Sequence, residues 1–278
     1  MPERVAIVTG GNKGIGFAVV KQLCEKYYGN VYLTARDVTR GQNAVKQLEE
    51  QGLRPKFHQL DVTDEDSIRT FRNYLAGKYM GVDILVNNAG IAFKVPAEEG
   101  LYSQALDTLD VNYFGIREVC KSLYPLLNEH ARIVHVSSSS ARLSLIPKES
   151  LREKFSDPNL TESQLDALLD EFLEAVRLKR HLEEGWPHCA YTVSKIGIGA
   201  LTEIQQRKFE TYKLVQFDIV VNAVNPGYVQ TDMTNYKGIL APEHAAEVIV
   251  YSALLPRDTK IRGKYIRFDK VVQVWSKS

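Results

Sequence analysis

Two residues in the second half of the chain, Tyr191 and Lys195, could together perform acid–base chemistry. They are four residues apart, so on a helix the phenol and the ammonium group would lie on one face. A neighbouring cation favours the phenolate and lowers the pKa of a phenol, and a tyrosine tuned toward neutrality can act as a general acid or base. The same spacing also occurs on solvated helix faces, so other parts of the chain must support a catalytic interpretation.

The composition of the 278-residue chain sets the first limits. Hydrophobic residues make up 44% and charged residues 25%, which suits a sizeable core and argues against disorder. The formal net charge of +1 predicts neither a nucleic-acid nor a membrane partner. Cys24, Cys120 and Cys189 lack metal-ligand spacing, which indicates reduced thiols and no metal site. No signal peptide or long apolar span is recognisable, so the expected location is cytoplasmic.

Alternating strands and helices must position the reactive pair. Val5–Val8 is a continuous apolar run, as expected for a strand buried on both faces of a parallel sheet. Four further strand-like runs, separated by helical patterns, follow before residue 137, and two more lie at residues 218–222 and 264–268. This alternation predicts an α/β fold, with a doubly wound parallel sheet (Rossmann fold) in a single domain over residues 1–278.

Residues at about 141–189 interrupt the alternation and predict a helical insertion before the tyrosine. Thr161-Glu-Ser-Gln164 has the pattern of a capping box. An apolar face at helical spacing follows it, made by Leu165, Leu168, Leu169, Phe172 and Val176. We expect this face to complete the local core; a partner-binding surface is the alternative.

The ends of the predicted strands carry residue types that suit a bound dinucleotide. Thr9–Gly16 is a glycine-rich turn between a strand and a helix, where bare backbone amides can approach a pyrophosphate at a helix N-terminus. A plain turn is the alternative interpretation. Because ligands of such sheets bind beyond the carboxyl ends of the strands, Asp61, Asn88 and the serines at 137–140 are further candidates.

Four motifs in this order resemble the short-chain dehydrogenase/reductase family. They are Thr9-Gly10-x-x-x-Gly14-x-Gly16, Asn87-Asn88-Ala89-Gly90, Ser138 after a strand, and Tyr191-x-x-x-Lys195. The resemblance spans essentially the whole chain. It implies that Tyr191 gives a proton to a substrate carbonyl and that Lys195 lowers the phenol's pKa and holds the nicotinamide ribose. It further implies that Ser138 binds the carbonyl oxygen and that Asn112 supports Lys195 through water; Ser137 and Ser139 remain alternatives to Ser138.

The resemblance also implies a set of cofactor-binding residues. Gly10, Gly14 and Gly16 would lie at the pyrophosphate, Asp61 at the adenine, Asn88 along the adenosine ribose, and Pro226, Gly227 and Thr231 in the nicotinamide loop. Asn12, Lys13, Ile15, Arg36, Gly90, Val229, Tyr191 and Lys195 complete that set. Lys13 and Arg36 suit the 2′-phosphate of NADPH/NADP+, whereas an acid after the second strand is typical of NAD sites. Asp37 would favour NAD unless it pairs with a nearby Arg or Lys.

The 53-residue separation of Ser138 and Tyr191 resembles the monomeric carbonyl reductases within the family. In those proteins the insertion covers the helix face that other members use to tetramerise, so a monomer is expected. The implied activity is NADPH-dependent reduction of ketones, aldehydes and quinones. The implied substrate-binding residues are Ser138, Phe93, Val95, Gln104, Tyr228 and Met233, of which Phe93, Val95 and Gln104 match positions that hold glutathione conjugates. Ser140, Asn225 and Tyr228 depart from the subgroup and predict a more polar pocket.

Two other functions remain open from the sequence. One is an NAD-dependent alcohol or hydroxysteroid dehydrogenase. The other is a non-catalytic dinucleotide-binding sensor that retains the fold. The complete set of Tyr191, Lys195, Ser138 and Asn112 argues against the sensor, because a binding module does not need all four.

Overall fold

An eight-stranded sheet runs through the computed structural model, which describes residues 3–93, 100–211 and 214–277. The strand order is β3-β2-β1-β4-β5-β6-β7-β8. The strands are β1 (Val5–Val8), β2 (Asn30–Ala35), β3 (Lys56–Gln59), β4 (Val82–Asn87), β5 (Leu127–Val136), β6 (Val220–Asn225), β7 (Tyr265–Arg267) and β8 (Val272–Gln273). All neighbouring strands are parallel except β8, which is antiparallel to β7. The predicted α/β class with a doubly wound parallel sheet is therefore confirmed.

Helices cover both faces of this sheet. They are α1 (Gly14–Lys26), α2 (Val38–Glu49), α3 (Glu65–Lys78), α4 (Leu101–Leu109), α5 (Gly115–Leu123), α6 (Glu149–Ser156), α7 (Glu162–Arg177), α8 (Ala190–Phe209) and α9 (Pro242–Ala253). Side chains of β1 alternate between two cores: Val5 and Ile7 pack with α3, α5 and α8, whereas Ala6 and Val8 pack with α1, α2 and α9. Burial on both faces explains why the strand is apolar at every position.

The strand order reverses at β1, which pairs with β2 on one side and β4 on the other. Sheets of this kind bind ligands in the crevice beyond the carboxyl ends of the strands, at the point of reversal. The glycine-rich turn follows β1 directly, and the Asn87-Asn88-Ala89-Gly90 segment begins at the end of β4. These two segments therefore border the crevice.

The predicted insertion contains α6 and α7, preceded by short 3₁₀ turns at residues 139–141 and 143–145. The capping box at Thr161 and Gln164 is present at the start of α7. The predicted apolar face is buried at every position, at Leu165, Leu168, Leu169, Phe172 and Val176, and α7 packs against α4 and α8. The expectation that this face completes the local core is confirmed.

The strand predicted at residues 218–222 lies at Val220–Asn225. Residues 101–126, between β4 and β5, consist of α4, a π-helical turn at Asp110–Phe114, α5 and a 3₁₀ turn. Among the described residues, no helix is long and apolar enough to cross a membrane.

Candidate active site

The glycine-rich turn leaves bare backbone at the start of α1. Gly10 and Gly14 have φ angles of +63° and +55°, a region that side chains rarely adopt. A Cβ on Gly16 would lie 2.4 Å from both Asn88 Nδ2 and Gly10 O, so only glycine fits there. Asn12 and Ile15 lie in the same turn, partly exposed. The turn thus forms a cradle at a helix N-terminus, which suits a pyrophosphate.

Asn88 holds this turn against the end of β4. Its Nδ2 donates to the backbone oxygens of Thr9 at 2.9 Å and Gly10 at 3.1 Å. The Thr9 hydroxyl accepts from the backbone N–H groups of Asn88 and Ala89, both at 3.0 Å. The Asn88 side chain therefore shapes the turn itself. Gly90 lies beside Asn112, whose Oδ1 would be 3.2 Å from a Cβ at that position.

Lys13 and Arg36, the two cations expected to bind a 2′-phosphate, lie just before α1 and just after β2. Arg36 follows β2 and is exposed. Lys13, just before α1, forms an ion pair with Asp232 at 2.6 Å. Asp37, the residue that favoured NAD, caps α2: its Oδ1 accepts from Arg40 N at 2.8 Å and its Oδ2 lies 3.8 Å from Arg40 Nε. The pairing of Asp37 with a nearby arginine is therefore present, and a cationic surface remains at Arg36.

Asp61 has a local role at the end of β3. Its Oδ1 accepts from the backbone N–H of Thr63 at 3.0 Å and from the Thr63 hydroxyl at 2.8 Å. Its backbone N–H donates to Ser67 Oγ at 2.9 Å. These bonds shape the loop between β3 and α3, on the side of the crevice where the adenine is expected.

The serine run forms a tight turn after β5. Ser138 is extended and accepts a hydrogen bond at its Oγ from Ser140 N at 3.1 Å, which leaves its hydroxyl hydrogen able to donate. Its side chain interacts with the Tyr191 phenol. Ser137 is buried and its Oγ has no partner in the described part of the chain, whereas Ser139 is exposed. The geometry favours Ser138 over these two alternatives.

Tyr191 and Lys195 lie in the first two turns of α8, as their spacing predicts. Burial raises the pKa of the Tyr191 phenol, and the Ser138 hydroxyl acts in the opposite direction. Lys195 was expected to lower the pKa of the Tyr191 phenol, and this effect is not found. Burial dominates the phenol's pKa, and the Lys195 ammonium instead donates to Val136 O at 2.8 Å. Burial lowers the pKa of Lys195 to about 8. Its Nζ lies 5.6 Å from the centre of the Tyr191 ring.

Asn112 lies in the π-helical turn, a distortion that is frequent at functional sites. Its Oδ1 accepts from Ile91 N at 2.8 Å, and its Nδ2 donates to Ile91 O at 2.9 Å and to Ser194 Oγ at 3.1 Å. The Ser194 hydroxyl in turn donates to Tyr191 O at 2.8 Å. Asn112 thus connects the loop after β4 with the first turn of α8.

The loop after β6 lies against the glycine-rich turn. Gly227 has a φ of +85°, and its N–H donates to Asn225 Oδ1 at 3.0 Å. Pro226 and Val229 are buried. Thr231 Cγ2 would be 3.3 Å from a Cβ on Gly14. The Pro-Gly loop and the pyrophosphate cradle therefore meet across the crevice.

The expected substrate-binding residues border this region unevenly. Tyr228, Met233 and Phe93 have exposed side chains, and Gln104 is half-buried in the first turns of α4. Val95 lies outside the described residues. Of the three positions that predicted a polar pocket, Asn225 uses its Oδ1 to hold Gly227 N and Ser140 uses its N–H to hold Ser138, while Tyr228 is half exposed.

A buried polar network beneath the site has no counterpart in the sequence analysis. His135 of β5 lies 2.9 Å from Gln205 Oε1 and 3.1 Å from Asn87 Nδ2. Since the first group only accepts and the second only donates, the neutral ring carries its proton on Nε2. Burial lowers the pKa of His135 to about 4, and the charge of Lys195 acts in the same direction. A single buried histidine on a strand has no sequence signal that would reveal its partners.

The fold and the arrangement of these residues define the class of protein. The model of the short-chain dehydrogenase family matches residues 4–148, and the chain belongs to this family. It is 46% identical over 273 residues to carbonyl reductase (NADPH) 1 of Homo sapiens, covering 98% of each chain. It is 46% identical over 275 residues to carbonyl reductase (NADPH) 3 of Mus musculus, covering 98% of this chain and 99% of the other. The solved structure of salutaridine reductase from Papaver somniferum has a TM-score of 0.85 and 34% identity, covering 95% of this chain and 99% of that one.

Proposed function

We propose that this protein is an NADPH-dependent carbonyl reductase, which converts ketones, aldehydes and quinones to alcohols or hydroquinones. The observation that carries the proposal is the placement of Tyr191 and buried Lys195 on α8, with Lys195 Nζ 5.6 Å from the centre of the Tyr191 ring and the Ser138 side chain interacting with the phenol. The identity with the curated NADPH carbonyl reductases over almost the whole chain supports it.

NADPH, when bound, supplies the hydride. As hydride reaches the carbonyl carbon, negative charge grows on the carbonyl oxygen, and the hydroxyl groups of Ser138 and Tyr191 stabilise it by donating hydrogen bonds. Tyr191 then transfers its proton to that oxygen. Because burial raises the pKa of Tyr191, the phenol is protonated at neutral pH, which suits an acid in the reductive direction. Lys195 would contact the nicotinamide ribose, and Asn112 holds the helix that carries both residues.

The cofactor preference for NADPH rests on Lys13 and Arg36, which would bind the 2′-phosphate. Asp37 does not oppose this assignment, since its carboxylate caps α2 and pairs with Arg40. The remaining cofactor contacts would come from the glycine-rich turn and the Pro-Gly loop, which meet at Gly14 and Thr231.

The cofactor assignment is tested by steady-state kinetics with NADPH and NADH. We expect NADPH to be preferred, and Arg36→Leu to raise the KM for NADPH by about tenfold while leaving that for NADH unchanged, because one phosphate contact is lost. Arg69→Leu is the control, since Arg69 pairs with Asp66 on the surface of α3. A tenfold preference for NADH would favour the alternative, an NAD-dependent alcohol or hydroxysteroid dehydrogenase.

The substrate range is tested with a panel of carbonyl compounds and NADPH. Quinones and aromatic aldehydes and ketones are the expected substrates, with glutathione conjugates a further class that Phe93 and Gln104 would contact. The exposed side chains of Tyr228 and Met233 support an open substrate side. NADPH binding without reduction of any carbonyl in the panel would favour a non-catalytic dinucleotide sensor.

The protein would act as a single-domain monomer in the cytoplasm. Support for a monomer comes from α7, which packs against α4 and α8. Asp166 of α7 accepts a hydrogen bond from Tyr113 at 2.8 Å and pairs with Arg117 of α5. The chain's own insertion thus covers these helices. The three cysteines are unpaired, as in a reducing compartment. Light scattering that gave a tetramer mass would contradict the monomer.

A further inference from the structure

The C-terminal part of the chain contacts the turn at residues 138–141, called the serine turn, at its first and last residues. The Tyr265 hydroxyl, on β7, donates to the backbone oxygen of Ser138 at 2.7 Å. The Trp275 indole N–H donates to the backbone oxygen of Ala141, also at 2.7 Å. The turn at 138–141 is therefore held by two side chains that follow it in sequence by more than a hundred residues.

Both donors are fixed in place by burial. Tyr265 is 3% and Trp275 is 1% exposed. Tyr265 lies in a strand that is paired on both sides, with β6 and β8. A hydrogen bond that is removed from water is stronger than one at the surface, so these buried donors restrain their acceptors more than a surface side chain would.

The same segment also contacts the helix that carries Tyr191. The Trp275 ring covers Gly199 of α8, where a Cβ would lie 2.1 Å from the ring. The backbone N–H of Ser276 donates to Glu203 Oε1, on the same helix, at 3.1 Å. Residues 265–276 therefore touch the serine turn and α8 at once.

We propose that Tyr265 and Trp275 are positioning residues, which set the placement of the Ser138 hydroxyl relative to the Tyr191 phenol. Neither residue is among those expected to contact substrate or cofactor. Tyr265 restrains the backbone of Ser138 itself, and Trp275 restrains the far end of the turn while resting on the helix of Tyr191. This inference depends on the proposed reductase function, because it assigns a role to the same two hydroxyl groups.

Tyr265→Phe and Trp275→Phe test the proposal because each removes one donor and keeps an aromatic ring. We expect kcat for a quinone such as menadione to fall by about tenfold in each variant, with the KM for NADPH unchanged, since small misplacements of a catalytic group are costly. Tyr32→Phe is the matched control: Tyr32 is fully buried and its hydroxyl bonds Tyr74 and Tyr79. Trp186→Phe, in a ring cluster with Phe155 and Phe172, is the second control.

A double-mutant cycle with Ser138→Ala separates positioning from a general loss of structure. If Tyr265 acts through Ser138, then Tyr265→Phe should cause less than a twofold further loss of kcat in the Ser138→Ala background. A full tenfold loss in that background would overturn the proposal. So would a kcat for Tyr265→Phe and Trp275→Phe equal to that of the two controls.

An additional readout does not depend on turnover. The Ser138 hydroxyl lowers the pKa of the Tyr191 phenol, so displacing it should raise that pKa. We expect carbon-13 NMR titration of the Tyr191 ring to show a higher pKa in Tyr265→Phe and Ser138→Ala, and no change in Tyr32→Phe. An unchanged pKa in Tyr265→Phe would refute the positioning role. If the wild-type protein reduced no carbonyl, this titration would still decide the structural claim, whereas the proposed function would fail.

Discussion

The Lys195 ammonium donates to the backbone oxygen of Val136 at 2.8 Å, which ties α8 to β5, the strand that ends two residues before Ser138. This bond is buried, with Lys195 only 4% exposed. It fixes the base of the site from α8, while Tyr265 and Trp275 hold the serine turn from the other side. Lys195 is thereby held to β5, and the backbone of the serine turn is held by Tyr265 and Trp275.

Burying the Lys195 ammonium should cost stability at neutral pH. Burial lowers its pKa to about 8 from an ordinary value of 10.5, so the unfolded chain binds the proton more tightly. The penalty is complete below pH 8 and is lost as pH rises toward 10.5. We expect the unfolding free energy of the wild type to rise, relative to that of Lys195→Met, by roughly 2 kcal/mol from pH 7 to pH 10. Urea denaturation of both proteins at the two pH values measures this difference, and a constant difference would contradict it.

Asn112→Ala should impair both stability and turnover. The substitution removes the bonds to both backbone groups of Ile91 and to the Ser194 hydroxyl, with an expected loss of about 2 kcal/mol in unfolding free energy. Because α8 is no longer held to the loop after β4, kcat should fall by about tenfold or more.

Asn222→Ala is the control for Asn112. Asn222 is also a buried asparagine whose side chain bonds two backbone groups, Ile261 O and Lys264 N. We expect a similar loss of stability from Asn222→Ala with kcat retained. Equal loss of kcat in the two variants, measured below their unfolding transitions, would show that Asn112 has no specific role.

Gly16→Ala should weaken cofactor binding. A Cβ would meet Asn88 Nδ2 and Gly10 O at 2.4 Å, so the cradle would have to open. We expect the Kd for NADPH, measured by fluorescence, to rise by about tenfold or more. Gly77→Ala is the control, because no neighbouring atom of the described residues lies within 4 Å of a Cβ there and alanine in a helix should stabilise the protein by about 0.5–1 kcal/mol. Similar effects of the two substitutions on the Kd would be inconsistent with a cradle at Gly16.

Asp232→Asn should strengthen the binding of NADPH relative to NADH. Asp232 pairs with Lys13 at 2.6 Å, and a 2′-phosphate would compete with its carboxylate for that cation. Removing the charge should lower the Kd for NADPH by about two- to fivefold, with little change for NADH. Glu174→Gln, which breaks the exposed pair with Arg177 on α7, should alter neither Kd. A higher Kd for NADPH in Asp232→Asn would contradict this prediction and would mean that the Lys13–Asp232 pair supports cofactor binding.

Local patterns in the sequence were sufficient for much of the fold. The strand at Val5–Val8, the capping box at Thr161 and the helical placement of Tyr191 and Lys195 all depend on neighbouring residues, and the structure has them as predicted. The resemblance to the family supplied the set of site residues, since spacing alone left the Tyr191–Lys195 pair ambiguous.

The remaining features depend on contacts between distant parts of the chain. The π-helical turn around Asn112 has no distinctive local pattern, and it brings that side chain to Ile91 and Ser194. The Tyr265–Ser138 bond joins residues 127 positions apart. The pKa of Tyr191 is raised because the folded chain buries the phenol, and the spacing of residues in the sequence does not predict that burial.

Tyr191→Phe tests the central claim most directly, because it removes only the hydroxyl that would protonate the substrate. Turnover of menadione with NADPH should fall by about 100-fold or more. The Kd for NADPH, measured by fluorescence on the same protein, should remain within about twofold of the wild type, because the substitution removes one hydroxyl group and leaves the other expected cofactor-binding residues in place. Turnover of Tyr191→Phe equal to that of the wild type would contradict the mechanism.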